Sequence, residues 1–519
     1  MKRIVSIVGS VALMAGSALA QPSNVYLVDA SASGANDGSS WGNAFTGVQS
    51  AIDAALASGG TKDEVWVKAG TYHPTKSRTM TSGSTTITVK TFDVNGNVSV
   101  FGGFAGTETA RSQRDISANV TTLAAATSGA EPLQLARIGG NARIDGFTLT
   151  GVAPPSVGAN WFPVAATLAA SGALSNCRIT GNTFSVGNPE ASYGAGVLLL
   201  TGYPAVTSCR IDSNVGRAVL GVLGTVDNTI IENNVSQAGS PTLYGPDDLV
   251  TLLGISRLFG CTVRNNGTSG VRYSHLVRQD ALSRTARTSF TGNFASNALI
   301  GGAFINVLAK DNVAGGVVFG LAGLYNCTVM NNDGRGAGGC LGSNNILWGN
   351  GAGGGSGSGH SYSDQQNNSE FVFTTTQFWT SGNGGLGDNG DDPLLDSNGR
   401  LQNGSPAIDT GSNALHPDGV VRDLDGNVRF FGTSAPPAGQ GEPPVIDRGC
   451  FEFGAFGNGA WCYADFNGDA ALNATDFVRF IQLYNIGHPL ANCDGSSVPP
   501  KDNAADLTCF VLKYQAGCP

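Results

Sequence analysis

Lysine is scarce along this chain, and between Lys90 and Lys501 only Lys310 carries an ammonium group. Charged residues make up 13% of the 519 residues, and the formal net charge is -9. Such a chain lacks the basic stripe that non-specific nucleic-acid binding requires, which argues against a nucleic-acid partner. Past the first twenty residues no segment has the roughly 20 apolar residues of a membrane span. No train of alternating barrel strands follows the repeats described below, which argues against an autotransported adhesin. A collagen-like triplet is missing too, although the 75 glycines are about twice the usual share of roughly 7%. The glycines therefore mark tight turns.

Residues 1–20 read as a secretory signal. Lys2 and Arg3 supply the positive start, Ile4 to Leu13 the apolar stretch, and Ala18-Leu19-Ala20 the small-residue cleavage site before Gln21. The expected location is extracellular or at the cell surface, with no membrane-spanning segment after cleavage.

What the chain does have is a repeated interval. Cys177/Asn182, Cys209/Asn214, Thr229/Asn234, Cys261/Asn266 and Cys327/Asn332 are each five residues apart. Thr288/Asn293, Val307/Asn312 and Asn345/Asn350 keep the same register. A base step near 20 residues with longer excursions is what a stacked coil with insertions produces. Between the marked positions runs a short alternating segment, such as Cys177-Arg178-Ile179-Thr180-Gly181-Asn182, that turns Cys and Ile inward. A column of Cys, Ile and Val then forms the core, and a column of Asn caps the turns, because an amide both donates and accepts along the stack.

The ten cysteines fall into two groups. Cys177, Cys209, Cys261 and Cys327 share one column and behave as small buried apolar residues. Cys462, Cys493, Cys509 and Cys518 cluster in the last 58 residues, where staples would help a small region; three pairings are open. Cys340 and Cys450 have no assigned role.

Near the start, Val25-Tyr26-Leu27-Val28 reads as a strand. Phe45, Val48, Ile52 and Leu56 follow at helical spacing, ending at Gly59-Gly60, and Val65-Trp66-Val67 is the next strand. This helix is expected to cover the open end of the stack. Residues 351–390 read as a long surface excursion and residues 431–445, with four prolines, as a stiff irregular loop.

Several of these segments carry a resemblance. Asn36-Asp37-Gly38-Ser39-Ser40-Trp41, Val65-Trp66-Val67-Lys68-Ala69-Gly70-Thr71-Tyr72 and Gly102-Gly103-Phe104-Ala105-Gly106 open the chain in the manner of secreted bacterial right-handed parallel β-helix repeat proteins. Gly404-Ser405-Pro406-Ala407-Ile408-Asp409, Asp423-Leu424-Asp425-Gly426-Asn427 and Ile446-Asp447-Arg448-Gly449 close it in the same style. The resemblance implies an all-β right-handed parallel β-helix over residues 21–456, with an N-terminal capping helix. It says little about activity.

Residues 457–519 contain a duplication. Asp476-Phe477 precedes Phe480, Ile481 and Tyr484, and thirty residues on, Asp506-Leu507 precedes Phe510, Val511 and Tyr514. Both patterns predict short amphipathic helices. Ahead of the first, oxygen side chains stand at Asp465, Asn467, Asp469, Asn473 and Asp476, with Ala471 placed to offer its carbonyl. This spacing suits calcium, a hard cation that takes six to eight oxygens. Ala470 holds the position where such loops have glycine. A second, weaker loop aligns Asp494, Ser496, Asn503 and Asp506 but is one residue longer and contains Pro499-Pro500. The duplicated unit, ending in Ala516-Gly517-Cys518-Pro519, resembles a cysteine-containing dockerin. That resemblance implies a small α-helical calcium module that docks onto a cohesin-like or cell-surface anchoring partner.

Candidate chemistry on the β-helix is sparse. The ordered acid, histidine and lysine series of polygalacturonase-like hydrolases is absent, as are lyase motifs with paired arginines around a proline. The adjacent acids Asp247-Asp248 and Asp391-Asp392 do not fall into such a series. β-Elimination needs a base and a cation; the candidates are Lys310 and Asp311, and Arg272 and His275 within the basic stretch 271–287, expected to project beside a sheet. The leading expectation is a secreted, non-catalytic binding or structural protein that contacts carbohydrate and is positioned by its calcium-dependent tail. The competing expectation is a pectate-lyase-like polysaccharide lyase or another carbohydrate-active enzyme.

Overall fold

The computed structural model describes residues 24–59, 62–82, 85–125, 134–153, 164–183, 196–236, 248–319, 322–338, 341–350, 377–378, 392–417, 420–431, 444–454, 464, 472–485, 491, 493 and 503–516. Among the described residues three sheets carry the chain. Sheet one holds twelve strands from Val25–Val28 to Leu341–Ser343, sheet two holds twelve from Gly70–Tyr72 to Gln377–Phe378, and sheet three holds eleven from Lys76–Ser82 to Arg335–Gly338. From Gln134–Ile138 onward the chain visits sheet three, sheet one and sheet two in turn, then repeats. Each strand pairs in parallel with the equivalent strand one coil away. The exception is the hairpin of Lys76–Ser82 with Thr85–Val94, which is antiparallel. This is a parallel β-helix.

Short strands suffice because each coil turns twice on a left-handed residue. The first set, between sheets one and two, includes Asn176, Ser208, Asn228, Arg287, Asn306, Asn326 and Asn344, at φ of 47° to 57°. The second set, after sheet two, includes Ser213, Asn233, Asn265, Asp311 and Asn331. Asn and Gly adopt this region at least cost. The residue after each turn points inward, and these inward residues are the Cys/Thr/Val and Asn columns. The five-residue interval is thus the distance between two corners.

The cysteine column is buried and its thiols are unpaired by disulfides. Each thiol bonds a carbonyl two residues back: Cys209 Sγ to Thr207 O (3.4 Å), Cys261 Sγ to Phe259 O (3.3 Å) and Cys327 Sγ to Tyr325 O (3.3 Å). Thr229 and Thr288 hydroxyls do the same at 3.0 and 2.9 Å. A thiol and a hydroxyl are interchangeable here because both are small and both donate. Beside this column lie the apolar ones, among them Leu174, Val206, Val226 and Leu258 of sheet one and Ile179, Ile211, Ile231 and Val263 of sheet two, each fully buried.

Helix α1 (Val48–Ala57) buries Val48, Ala51, Ile52 and Ala55 against this core beside Val28, Val65 and Phe92. Past the last coils, the chain returns over the stack. As the corner residues ascend from 287 to 344, their partners descend from 423 to 412: Arg287 Nε donates to Asp423 O (3.0 Å), Asn306 Nδ2 to Arg422 O (2.6 Å) and Asn344 Nδ2 to Ser412 O (3.1 Å). This strap runs back along the helix. Its neighbours 395–408 and 449–453 cover the end of sheet two, with Leu395, Leu401 and Ala407 on Ile346 and Trp348, and Cys450 and Phe451 on Leu308.

Helices α2 (Ala474–Asn485) and α3 (Ala504–Ala516) fall where the duplication predicts. Phe480 and Phe510 stack with centroids 4.0 Å apart, and they share a cluster with Phe430, Ile446 and Ala491. The helical pair therefore packs on the returning strap. Cys493 and Cys509 form a disulfide, which selects among the three pairings left open; Cys462, Cys518 and Cys340 lie outside the described residues.

One expectation is corrected. The basic stretch 271–287 is not a projecting loop: Tyr273–Gln279 is a strand of sheet three and Arg284–Ala286 a strand of sheet one. Part of the extra length of this coil step lies in the seven-residue strand, against four residues in Val219–Val222, and the rest in the connections on either side of it.

Candidate functional site

A cleft of about 480 Å³ opens on the outer face of sheet two, where the strap ends. Thr262, Ser289, Thr291 and Lys310 supply its sheet-two wall, Arg287 its corner, and Asn398, Arg400, Asp425 and Phe451 its far wall. Pleating explains the first wall. Phe290 and Ala309 turn inward, so Ser289, Thr291 and Lys310 must turn outward.

Two of the three cations lining the cleft, Lys310 and Arg400, are held in ion pairs. Lys310 Nζ lies 2.5 Å from Asp311 Oδ2. Arg400 grips Asp425 through Nε and Nη2, at 2.7 to 3.0 Å, while its guanidinium lies 4.6 Å from the Phe451 ring centroid. Arg287 lies over the Phe259 ring at 5.4 Å; burial pulls its guanidinium below the ordinary arginine value, against the pull of Asp423 and Asp425. The result is a polar cleft with two ring-backed guanidinium groups.

Sheet two continues this face away from the strap. Arg178 binds Asp212 through Nε and Nη2 at 2.8 and 2.7 Å. Arg210 Nη2 lies 2.5 Å from Glu232 Oε1, and Arg264 Nε donates to Glu232 Oε2 at 2.6 Å. Burial works to raise the Asp212 carboxyl, but its bonds with Arg178 and the charges of Arg178 and Arg210 hold it below the ordinary value.

The four catalytic candidates are not brought together. Lys310 and its corner neighbour Asp311 belong to sheet two, and Lys310 lines the cleft. His275 lies on sheet three, with Nδ1 2.6 Å from Asp248 Oδ1; the buried Asp248 also accepts from Thr251 Oγ1 at 3.3 Å. Arg272 is exposed and immediately precedes that strand. Sequence reasoning missed Asn398, Arg400, Asp425 and Phe451, which reach the cleft only through the strap. It also missed the arginine row, although Arg178 and Arg210 each directly follow a column cysteine.

Of the residues expected to hold calcium, Asp465, Asn467, Asp469, Ala471, Asp494 and Ser496 lie outside the described residues. The described four form two equivalent arrangements. Asn473 N–H donates to Asp476 Oδ2 (2.8 Å) and Thr475 N–H to Asn473 Oδ1 (2.8 Å); Asn503 N–H donates to Asp506 Oδ2 (2.9 Å) and Ala505 N–H to Asn503 Oδ1 (2.7 Å). Both aspartates are fully buried at a helix start. Carboxylate and amide oxygens are the donors a hard cation takes, and here they cap the helices.

No family model matches the chain, and no curated protein matches it. Among solved structures it is similar to a pectate lyase, Pel9A, at 15% identity over 83% of this chain and 97% of that one, with a TM-score of 0.39. It is similar to XylC in complex with xylose at 9% identity over 62% and 75%, with a TM-score of 0.38. It is also similar to PfbA, a surface adhesin of Streptococcus pneumoniae, at 11% identity over 58% and 84%, with a TM-score of 0.27. The strand pairing itself establishes the fold. Among the described residues no helix is long and apolar enough to cross a membrane.

Proposed function

We propose that this is an exported carbohydrate-binding β-helix that holds a glycan in the sheet-two cleft and is positioned by a dockerin-like, calcium-dependent C-terminal module. The observation that carries the reading is the cleft itself, about 480 Å³ of polar space between Lys310, Arg287, Arg400 and Phe451. Fixed guanidinium groups and hydroxyls beside an aromatic ring suit a polyhydroxylated ligand. Helix α1 closes the first coils in this reading. The paired Asn473/Asp476 and Asn503/Asp506 arrangements support two related metal loops, with Asp465, Asn467, Asp469 and Ala471 completing the first and Asp494 and Ser496 the second. The cohesin-like or surface partner would meet the helical pair.

A second reading, a polysaccharide lyase, is favoured by one feature: Lys310, the sole ammonium group of the central coils, lines the cleft. One experiment separates the two. Acidic and neutral polysaccharides are incubated with the mature protein, with and without calcium, while binding, product size and unsaturated-sugar absorbance are followed. Binding without cleavage supports the binder; new unsaturated ends establish the lyase; neither binding nor cleavage overturns the carbohydrate reading.

A further inference from the structure

We propose that the outer face of sheet two binds an anionic polysaccharide laid along the helix axis, gripped by Arg178, Arg210 and Arg264 and leading into the cleft at Lys310. This rests on the carbohydrate reading above and names the class of glycan. The first support is a difference in exposure. The three arginine side chains are 46 to 52% exposed, whereas the carboxylates that hold them, Asp212 and Glu232, are 2 and 3% exposed. Along the row from Arg178 to Arg264 a ligand therefore meets guanidinium groups and not the carboxylates that hold them, on a chain whose net charge is -9; at the cleft the order reverses, with Lys310 18% and Asp311 49% exposed.

The second support is geometry. A guanidinium carries five N–H donors in a fixed fork. Arg178 commits Nε and Nη2 to Asp212, and Arg264 commits Nε to Glu232. The outward donors can take a second anion, and because each arginine is already held, little side-chain freedom is lost on binding. Arg178 and Arg210 stand on successive coils, Arg264 two coils beyond Arg210, and Lys310 two beyond Arg264. Coils repeat at about 4.8 Å, a step comparable to one sugar residue of an extended chain, so acidic groups on a regular polymer meet a cation every one or two residues.

The third support is chemical selection. The outward positions of sheet two from Thr148 to Lys310 hold Arg, Lys, Thr, Ser, Asp, Glu, Ile and Leu but no aromatic ring. A neutral glycan would find no stacking platform along this row.

The test measures binding of the full mature chain to polygalacturonate, dextran sulfate and unmodified dextran at low and high salt. The expected result is binding of at least one anionic polymer at least about tenfold tighter than dextran, weakening with salt. Preference for polygalacturonate assigns uronate as the source of charge, and preference for dextran sulfate assigns a sulfate ester. Dextran bound as tightly as both polyanions overturns this inference and leaves the carbohydrate reading standing; no binding of any polymer overturns both. Thr291→Glu, between Arg264 and Lys310, and Thr262→Glu, on the cleft wall, add negative charge while keeping every ion pair. Either folded variant should lose at least about tenfold in polyanion affinity. Unchanged affinity in both removes the site from sheet two.

Discussion

Asn182 Nδ2 donates to Asn214 Oδ1 at 3.0 Å across 32 residues of chain, and the Asn182 backbone N–H donates to the same oxygen, also at 3.0 Å. The same pair of hydrogen bonds joins Asn214 to Asn234, Asn234 to Asn266, and each successor to Asn350. The amide also returns a bond to the previous coil, as Asn214 Nδ2 does to Ile179 O at 2.9 Å. One side chain thus satisfies a buried corner on both sides of itself.

Asn214→Ala should accordingly leave the Asn182 N–H groups and the Ile179 carbonyl buried without this partner. An unmade buried bond costs about 1–3 kcal/mol, so the expected destabilisation is about 2–5 kcal/mol. In a stacked protein the loss is local. Hydrogen exchange should accelerate at Asn182 and Val215 while Val317 stays protected; uniform exchange would show that the ladder does not stabilise coil by coil.

The cysteine column makes a gentler prediction. Thr229 and Thr288 already fill the Cys position, so Cys209→Thr should cost no more than about 1 kcal/mol. Burial pushes the Cys261 and Cys327 thiols up to about 12. Native protein should therefore resist thiol reagents at mildly alkaline pH, and rapid labelling of Cys261 would contradict the buried column.

How much of this was legible beforehand depended on how local each contact is. The Asn and Cys columns were readable because stacking demands like residues at each level. The corner residue before each column was not, since Asn, Ser, Gly, Arg and Asp all occupy it. Residues 271–287 were misread because the length of a coil step does not show how it is divided between strand and connection. The strap was invisible: Arg287 and Asp423 meet across 136 residues with no repeated motif to announce it. So the fold was largely present in the spacing, and half of the cleft was not.

The strap also carries an unusual load of buried acid. Burial raises the Asp447 carboxyl to about 7 and raises Glu452 and Asp423 as well, with Arg429 opposing in each case. Between the unfolded value of 3.8 and about 7, the folded chain holds a proton on Asp447 that the unfolded chain releases. Stability should fall as pH rises through that window, by on the order of 4 kcal/mol from Asp447 alone. The lowered carboxyls of Asp29, Asp37, Glu108 and Asp212 act in the opposite sense at more acidic pH. Melting temperature should be higher near pH 5 than near pH 8; the reverse order would remove these groups from control.

Calcium should act through the strap as well. Phe480 and Phe510 share a cluster with Phe430 and Ile446, while Leu424 and Asp425, a few residues before Phe430, line the cleft. Chelation is expected to reduce helical circular dichroism from α2 and α3, with the Cys493–Cys509 disulfide limiting how far the pair separates. Asp476→Ala removes both a proposed ligand and the cap on Asn473 N–H, a cap worth about 1 kcal/mol. Asp476→Asn separates the two roles: the amide oxygen still accepts from Asn473, but the charge that a hard cation needs is gone. Calcium titration by calorimetry should show Asp476→Asn weakened about as strongly as Asp476→Ala, while only the alanine variant loses helix stability in excess chelator. If both bind calcium like the parent chain, Asp476 is a helix cap and the first loop holds no metal through it.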